Sequence, residues 1–486
     1  MTPVQTSAVR KISQTSTPTY VSRNPTQGKV FQVVQKHWKK FEHDRLVSDQ
    51  PISQYVTREF EAFLGCGILS KGFIRLVCDT CKVNRFVPFS CKKRGFCPSC
   101  CGRRMNEGAA FLVDYVFPQV PVRQWVVSFP MPIRFWMARN PRLATTALNI
   151  FQRILKRYYV QLAKQKNAHG NLETGSITMI QRFGGALNLN IHFHILSLGG
   201  VFEFSDDPKK SPEFIETGRP KNDDILNIIK MFQMRMLRLL QRRGLVQKIE
   251  SENGGEPTLE ETGIETICQG ASVQYRIAMG PNSGQRVRKV GSLGSVTDEP
   301  FKAGDLSAVL GGYSIHAATY VHKNNRTELE RLCRYILRPP VAEERCELKG
   351  DKVIYYFKSA WRDGTKAIEL TGQEFIEKLV AIIPQPRIHL TRFHGILAPH
   401  SKNRSKIVPQ SPQKQTHCKE PKQLELIKRP RLSWAQLLKR VFKIDMENCP
   451  CGGKLKFVAA IVSSTSIQKI LDHEGLEYFI PDFAPP

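Results

Sequence analysis

The residues best suited to chemistry are a histidine pair, a tyrosine and a set of cysteines. His192-Phe193-His194 lies in an apolar run, Ala186–Leu198, that reads as a strand. Alternation along a strand puts both imidazoles on one face and Phe193 on the other. Two neutral imidazoles side by side make a half-finished metal site with open coordination positions. Asn188 and Asn190 fall on the same face, which is therefore polar within an apolar strand. Ser176–Phe183 reads as the preceding strand, and a hairpin turning at Gly184-Gly185 brings Gln181 to that side as well. That register pairs Gln181 with Asn188, about 13 Å along the strand from His192. Gln181 is then a third ligand only if a bulge or twist draws it closer.

Tyr335 sits near the end of a predicted helix, Thr327–Leu337, that Pro339-Pro340 stops. Arg331, Arg334 and Arg338 flank it, a setting suited to a phosphate. A phenol has a reference pKa of about 10 and needs activation to act as a nucleophile. A metal ion on the scissile phosphate would supply that help. Arg331 lies one helical turn before Tyr335 on the same face, where a guanidinium clamps a phosphate well. Taken without context, a tyrosine in this pattern also fits a packed core.

Of thirteen cysteines, seven lie between Cys66 and Cys101. Cys78-x-x-Cys81, then fifteen residues, then Cys97-x-x-Cys100 has the spacing of one four-thiolate zinc site. Cys66, Cys91 and Cys101 are left over; Cys91 replaces one of the four ligands or joins Cys66 in a second site. Lys92, Lys93, Arg94, Arg103 and Arg104 surround these cysteines and suit a DNA-contacting finger. Cys449-Pro450-Cys451-Gly452-Gly453 is half a pattern without an evident partner pair, with His417 and Cys418 as candidate ligands.

These residues must be positioned by a chain of 486 residues, too long for one core. Its 72 Lys+Arg against 43 Asp+Glu give a formal net charge of +29, which points to a polyanionic partner. No apolar run is long enough to span a membrane, and the clustered cysteines suit a reducing compartment. The expected order is a disordered basic arm over 1–34, a zinc-binding, DNA-binding domain over 35–108, a catalytic domain over 109–400, a basic linker over 401–433 and a small module over 434–486. Further strands are expected at Arg123–Phe129, Ser272–Met279, Gly312–Val321 and Val353–Phe357, and helices at 222–243 and Gln373–Ile383.

Three stretches carry a family resemblance: Thr174–Phe202 around the histidines, Leu332–Pro340 around Tyr335, and Arg387–Pro399 with His389-Leu-Thr-Arg-Phe-His-Gly-Ile-Leu-Ala. With the cysteine module they resemble the rolling-circle insertion-sequence transposases that carry an N-terminal zinc-binding domain. The resemblance spans roughly residues 35–400. It implies an α+β fold of several domains: a zinc-binding module, a central antiparallel-sheet HUH endonuclease domain with helices, and a basic C-terminal extension. It implies His192 and His194 as ligands of Mg2+ or Mn2+, structural Zn2+ on the cysteines, and Tyr335 forming a 5′-phosphotyrosine. Partners would be single- and double-stranded DNA at transposon ends and target, with no membrane, and a homodimer as one arrangement. The setting would be the cytoplasm and nucleoid of a bacterium. Many relatives carry two tyrosines four residues apart; here Arg331 and Pro339 hold those positions, so the chain is similar to the single-tyrosine, common-region subgroup. The alternatives are a zinc-dependent DNA-binding regulator, a transposase remnant that does not cut, and a plasmid relaxase with the same chemistry.

Overall fold

The computed structural model describes residues 24–205, 207, 210–246, 263–291, 304–361, 363–409, 436 and 447–480. Most of the expected N-terminal arm and basic linker, with His417 and Cys418, lie outside the described residues. The described residues form two compact units, one from those within 67–89 and 428–479 and the other from those within 24–66 and 90–427.

The larger unit is built on a seven-stranded antiparallel sheet. Its path runs β10 (Ser307–Leu310), β11 (Tyr313–His316), β3 (Val122–Ser128), β6 (Leu189–Leu198), β5 (Gly175–Phe183) and β16 (Thr391–Gly395), with β12 (Tyr320–Val321) also on β3. Alternation in β6 decides what each face does. Leu189, Ile191, Phe193 and Ile195 join a core covered by α4 (Met131–Arg139), α5 (Pro141–Lys164) and α6 (Asn222–Arg242). Phe193 meets Phe129 edge to face at 4.9 Å there. Burying such a ring contributes about 1.5–3 kcal/mol. On the opposite face Leu196 and Leu198 pack under α3 (Pro98–Tyr115) and α8 (Arg326–Ile336), while Asn190, His192 and His194 continue that face as its polar half.

Helix α5 starts where Asn140 caps Leu143 N–H and Pro141 takes the first turn; α8 starts where Asn325 caps Glu328 N–H. Gly108 lets α3 approach α8 closely, since a Cβ there would stand 2.9 Å from Leu337 Cδ1. The expected domain boundary at 108 therefore falls inside a helix that belongs to the core around Tyr335. Around this sheet stand α1 (Lys29–Val47), α2 (Gln54–Leu64), α7 (Ile264–Val273) and α9 (Gly372–Ile382). Two smaller sheets follow the orders β13 (Cys346–Lys349), β14 (Lys352–Tyr356), β15 (Ala367–Thr371), β9 (Arg288–Val290) and β4 (Asn171–Glu173), β7 (Gly200–Phe204), β8 (Glu213–Glu216). The strand expected at Ser272–Met279 is absent: Ser272 and Val273 end α7, whose buried Ile264, Cys268 and Ser272 recur every four residues, and Tyr275 turns the chain at φ 59°.

The smaller unit joins β17 (Leu455–Ile461), β1 (Phe73–Cys78) and β2 (Asn84–Pro88) with the helix Ser464–His473. Within the expected C-terminal module, 434–486, β17 thus belongs to a sheet begun at residue 73. Phe73, Ile467 and Leu471 are its buried apolar centre. No helix among the described residues is long and apolar enough to cross a membrane.

Candidate metal and tyrosine site

Strand β5 turns into β6 through residues 184–188, and a bulge between Gln181 and Phe183 shifts the ladder. Gln181 consequently faces His192, not Asn188. The hairpin expected at Gly184-Gly185 is too tight, because Leu187 adopts φ 53° and Gly184 N–H bonds back to Asn188 O. The slip is even-numbered, so Gln181 keeps its face and comes directly opposite the first histidine. Gln181 is 2% exposed; its Nε2 donates weakly to Ile336 O at 3.3 Å, and its Oε1 is buried without a hydrogen-bond partner among the described residues.

His192 Nε2 and His194 Nε2 stand 3.1 Å apart. Neighbouring positions around an octahedral ion with ligand bonds of about 2.1 Å are about 3 Å apart. Burial is the main cause that lowers both imidazoles, His192 to about 4 and His194 to about 2. The nearby Arg338 guanidinium adds to it at both rings, and His192 adds at His194. Both rings are therefore neutral, as a metal ligand must be. His192 Nδ1–H donates to Asn190 O at 2.9 Å, which leaves its Nε2 lone pair on the open side. Gln124, across on β3, places its amide 2.9 Å from His194 Nδ1. With that amide's nitrogen donating, His194 carries its proton on Nε2 and gives it to His192 Nε2. With the amide turned, Gln124 Oε1 accepts from His194 Nδ1–H and both Nε2 atoms are free. The orphaned Gln181 oxygen, the neutral rings and their spacing all fit a divalent ion.

Tyr335 is carried over this face by α8, its ring 5.8 Å from that of His194 at 80°, and it remains 43% exposed. Leu329, Leu332, Cys333 and Ile336 bury the rest of α8, so the tyrosine is held at the helix edge and is not a core residue. Arg338 lies 4.7 Å from the Tyr335 ring centre and Lys358 Nζ lies 5.6 Å from it. Arg331 is exposed one turn earlier, and Arg334 is half-buried. Among the described residues, Arg338 and Lys358 are thus the cations over the Tyr335 ring. Lys358 follows β14, and no motif links it to Tyr335. Gln124 had a signal: it is a polar residue on an inward face of the apolar strand Val122–Ser128.

The cysteines gather in two groups, and neither joins Cys78 and Cys81 to Cys97 and Cys100 as the spacing suggested. Cys97 and Cys100, on the first turn of α3, meet Cys66 and Cys91; Cys78 and Cys81 meet Cys449 and Cys451. In the first group Cys66–Cys100, Cys91–Cys100 and Cys66–Cys97 Sγ separations are 3.6, 3.3 and 3.7 Å. Tetrahedral thiolates at about 2.3 Å from zinc lie about 3.8 Å apart. Hydrogen bonds from Cys66, Cys91 and Cys97 hold the Cys100 thiol far below its ordinary value, whereas Cys97 and Cys91 are pushed far above theirs, first by Cys100. Four thiolates this close need a cation between them. The regular fifteen-residue spacing misled because Cys78 and Cys81 sit at the tip of the β1–β2 hairpin, where pairing of β1 with β17 brings Cys449 and Cys451 to them. Lys92 and Arg94 are exposed and Lys93 half-buried beside the first group. Arg104 instead donates to Lys92 O and Lys93 O at 2.7 and 3.1 Å, bracing the ligand loop, and Arg103 pairs with Glu107 at 3.5 Å.

Residues 175–405 match the Y2_Tnp transposase family, and residues 33–129 match a transposase zinc-binding domain of the IS91 type. The first match holds the histidines, Gln181 and Tyr335; the second holds Cys66, Cys78, Cys81, Cys91, Cys97 and Cys100. No curated protein and no solved structure matches the chain.

Proposed function

This chain is an IS91-like transposase with an N-terminal zinc-binding domain, and we propose that it cuts single-stranded DNA at its element's ends through Tyr335, in the rolling-circle manner. DNA is the partner of a transposase, and the net charge of +29 suits it. The observation that carries the cutting chemistry is the exposed Tyr335 ring beside the buried, neutral His192–His194 pair.

Tyr335 Oη gives its proton to solvent and attacks the scissile phosphorus; the bond to the 3′ oxygen breaks, that oxygen takes a proton from solvent as a 3′-OH, and the 5′ phosphate stays on the tyrosine. Arg338 and Lys358 offset phosphate charge next to the phenol. His192, His194 and Gln181 Oε1 would hold a magnesium or manganese ion, which supplies polarisation of the phosphate and stabilises the leaving oxygen when bound. Gln124 holds the His194 proton on Nδ1 in that state. Tyr158 and Tyr159 are no rivals, because burial raises both phenols.

With Arg331 where a second tyrosine would stand, one protomer holds one covalent DNA end at a time. Tyr335 is then released by an incoming 3′-OH and used again. A DNA-binding regulator or an inactive remnant would not need Tyr335, both histidines and Gln181 gathered on one face. Incubation with a single-stranded oligonucleotide of the element's end that traps the cleaved product gives a covalent adduct, mapped by mass spectrometry to Tyr335. An adduct on another tyrosine, or none from metal-loaded protein on its own terminal sequence, refutes the assignment.

A further inference from the structure

The second cysteine group is assembled from two segments far apart in the chain. Cys78 and Cys451 are 373 residues apart in sequence, yet their sulfurs stand 3.4 Å apart; Cys81 and Cys449 stand at 3.7 Å. All four Sγ atoms lie within 4.8 Å of one another. A disulfide needs about 2.05 Å, whereas the observed separations approach the 3.8 Å or so between thiolates on one tetrahedral zinc.

The backbone around the group is shaped for it. Backbone N–H groups of Thr80 and Cys81 point at Cys78 Sγ, and that of Val83 points at Cys81 Sγ. Cys449 N–H bonds to Gly453 O at 2.7 Å and Gly452 N–H to Cys449 O at 2.9 Å, a tight knuckle in which Gly452 takes φ 86°. At Gly453 a Cβ would stand 2.7 Å from Cys78 Sγ and 2.5 Å from Thr80 Oγ1, so only glycine lets the two knuckles meet. Asp79 locks them from both sides: its N–H donates to Lys454 O at 2.9 Å, and its carboxylate accepts Lys454 N–H at 2.8 Å. The β1–β17 ladder then runs from Cys78↔Leu455 to Phe73↔Ile461. Among the described residues, three buried apolar side chains form the core of this unit, and units with so small a core generally need a metal or disulfides to fold.

We propose that Cys78, Cys81, Cys449 and Cys451 hold a second zinc ion, a clasp closed from both ends of the chain. Half of its ligands lie in the matched zinc-binding domain and half outside both matched regions. The ion fastens the C-terminal strand and helix to the β1–β2 hairpin, so the N-terminal zinc-binding domain is incomplete without residues 449–461.

Full-length protein purified without chelator should contain two zinc ions per chain. Cys449→Ser with Cys451→Ser should contain one, and Cys66→Ser with Cys91→Ser should lose the other independently. Cobalt substitution should give two equivalents of tetrahedral thiolate absorption in the unaltered protein and one in each double variant. Alkylation of the unaltered protein keeps the question open to test if a variant does not fold. Cys81 and Cys451 are exposed to solvent, so without a metal they react promptly with iodoacetamide; with zinc bound they stay unlabelled until a strong chelator is added. One zinc per unaltered chain, two in Cys449→Ser/Cys451→Ser, or prompt labelling of Cys81 and Cys451 in zinc-loaded protein would overturn the proposal.

Discussion

Replacing Gln124 by leucine removes one amide and little volume. Gln124 is 4% exposed and its amide sits 2.9 Å from His194 Nδ1. Two separable losses follow. The buried ring nitrogen loses its partner, which costs about 1–3 kcal/mol of stability. His194 also loses the group that orients its ring and sets its tautomer, and such an outer partner of a ligating histidine is worth about 10–100-fold in metal affinity, or about 1.4–2.7 kcal/mol. His192 keeps its own bond to Asn190 O, so affinity falls without vanishing. Manganese titrations of oligonucleotide nicking should show half-saturation rising by that factor, with the rate at saturating metal close to that of the unaltered protein. Electron paramagnetic resonance of free manganese measures the same shift without catalysis. Both run well below the variant's unfolding midpoint, which removes the stability term. An unchanged half-saturation in a folded variant would falsify the outer-partner role of Gln124, and Gln124→Glu, a stronger acceptor, should tighten binding.

Tyr335→Phe should bind terminal DNA as the unaltered protein does and form no adduct; residual adduct formation removes Tyr335 from the chemistry. In metal-free protein the histidines lower stability at acid pH. Their folded values of about 4 and about 2 lie below the ordinary 6.5, so below 6.5 the unfolded chain takes up protons that the native site refuses. Stability is full above 6.5 and falls towards 4 by up to about 1.4 kcal/mol per pH unit for each ring; urea midpoints of a His192→Asn/His194→Asn variant should lose that part of the slope. Arg338→Ala should slow cleavage more than Arg331→Ala, since Arg338 lies over the phenol and Arg331 does not; the reverse ranking in single-turnover rates restores Arg331 as the clamp. DNA affinity should fall about a thousandfold or more between 50 and 200 mM salt if about 6–10 phosphates are contacted, and a flat response in a filter-binding series would remove the basic surface from the interface. Mixing Tyr335→Phe protein with a histidine variant should not recover cleavage; recovery would mean that two protomers share active sites.

Local pattern made the strands and the site face legible. The alternation Asn190, His192, His194 against Ile191, Phe193, Ile195 survives whatever the partner strand does, because it depends only on the pleat. Register was not legible. Gln181 meets His192 through a bulge and an αL residue at Leu187, a position where neither glycine nor asparagine advertises the turn. Zinc grouping failed for a different reason: Cys78 and Cys81 find Cys449 and Cys451 through strand pairing over nearly the whole chain, and no spacing rule reaches that far. Lys358 arrives beside Tyr335 by the same kind of long-range placement. Gln124 was visible in principle, as an amide among valines and a tryptophan.

Helix α3 has a practical consequence for anyone dividing this protein. Its first turn holds Cys97 and Cys100, and its later turns floor the helix that carries Tyr335. At 18 residues it reaches about 27 Å. Arg326, at the start of α8, grips its far end, donating to Phe117 O at 3.0 Å and Pro118 O at 3.1 Å. A fragment begun after the cysteines keeps every residue of the histidine–tyrosine site and the later turns of α3, but cuts that helix loose from its cysteine-held first turn. A minimal fragment meant to keep the histidine–tyrosine site should therefore start at or before Cys66, carrying the cysteine group at the start of α3 with it.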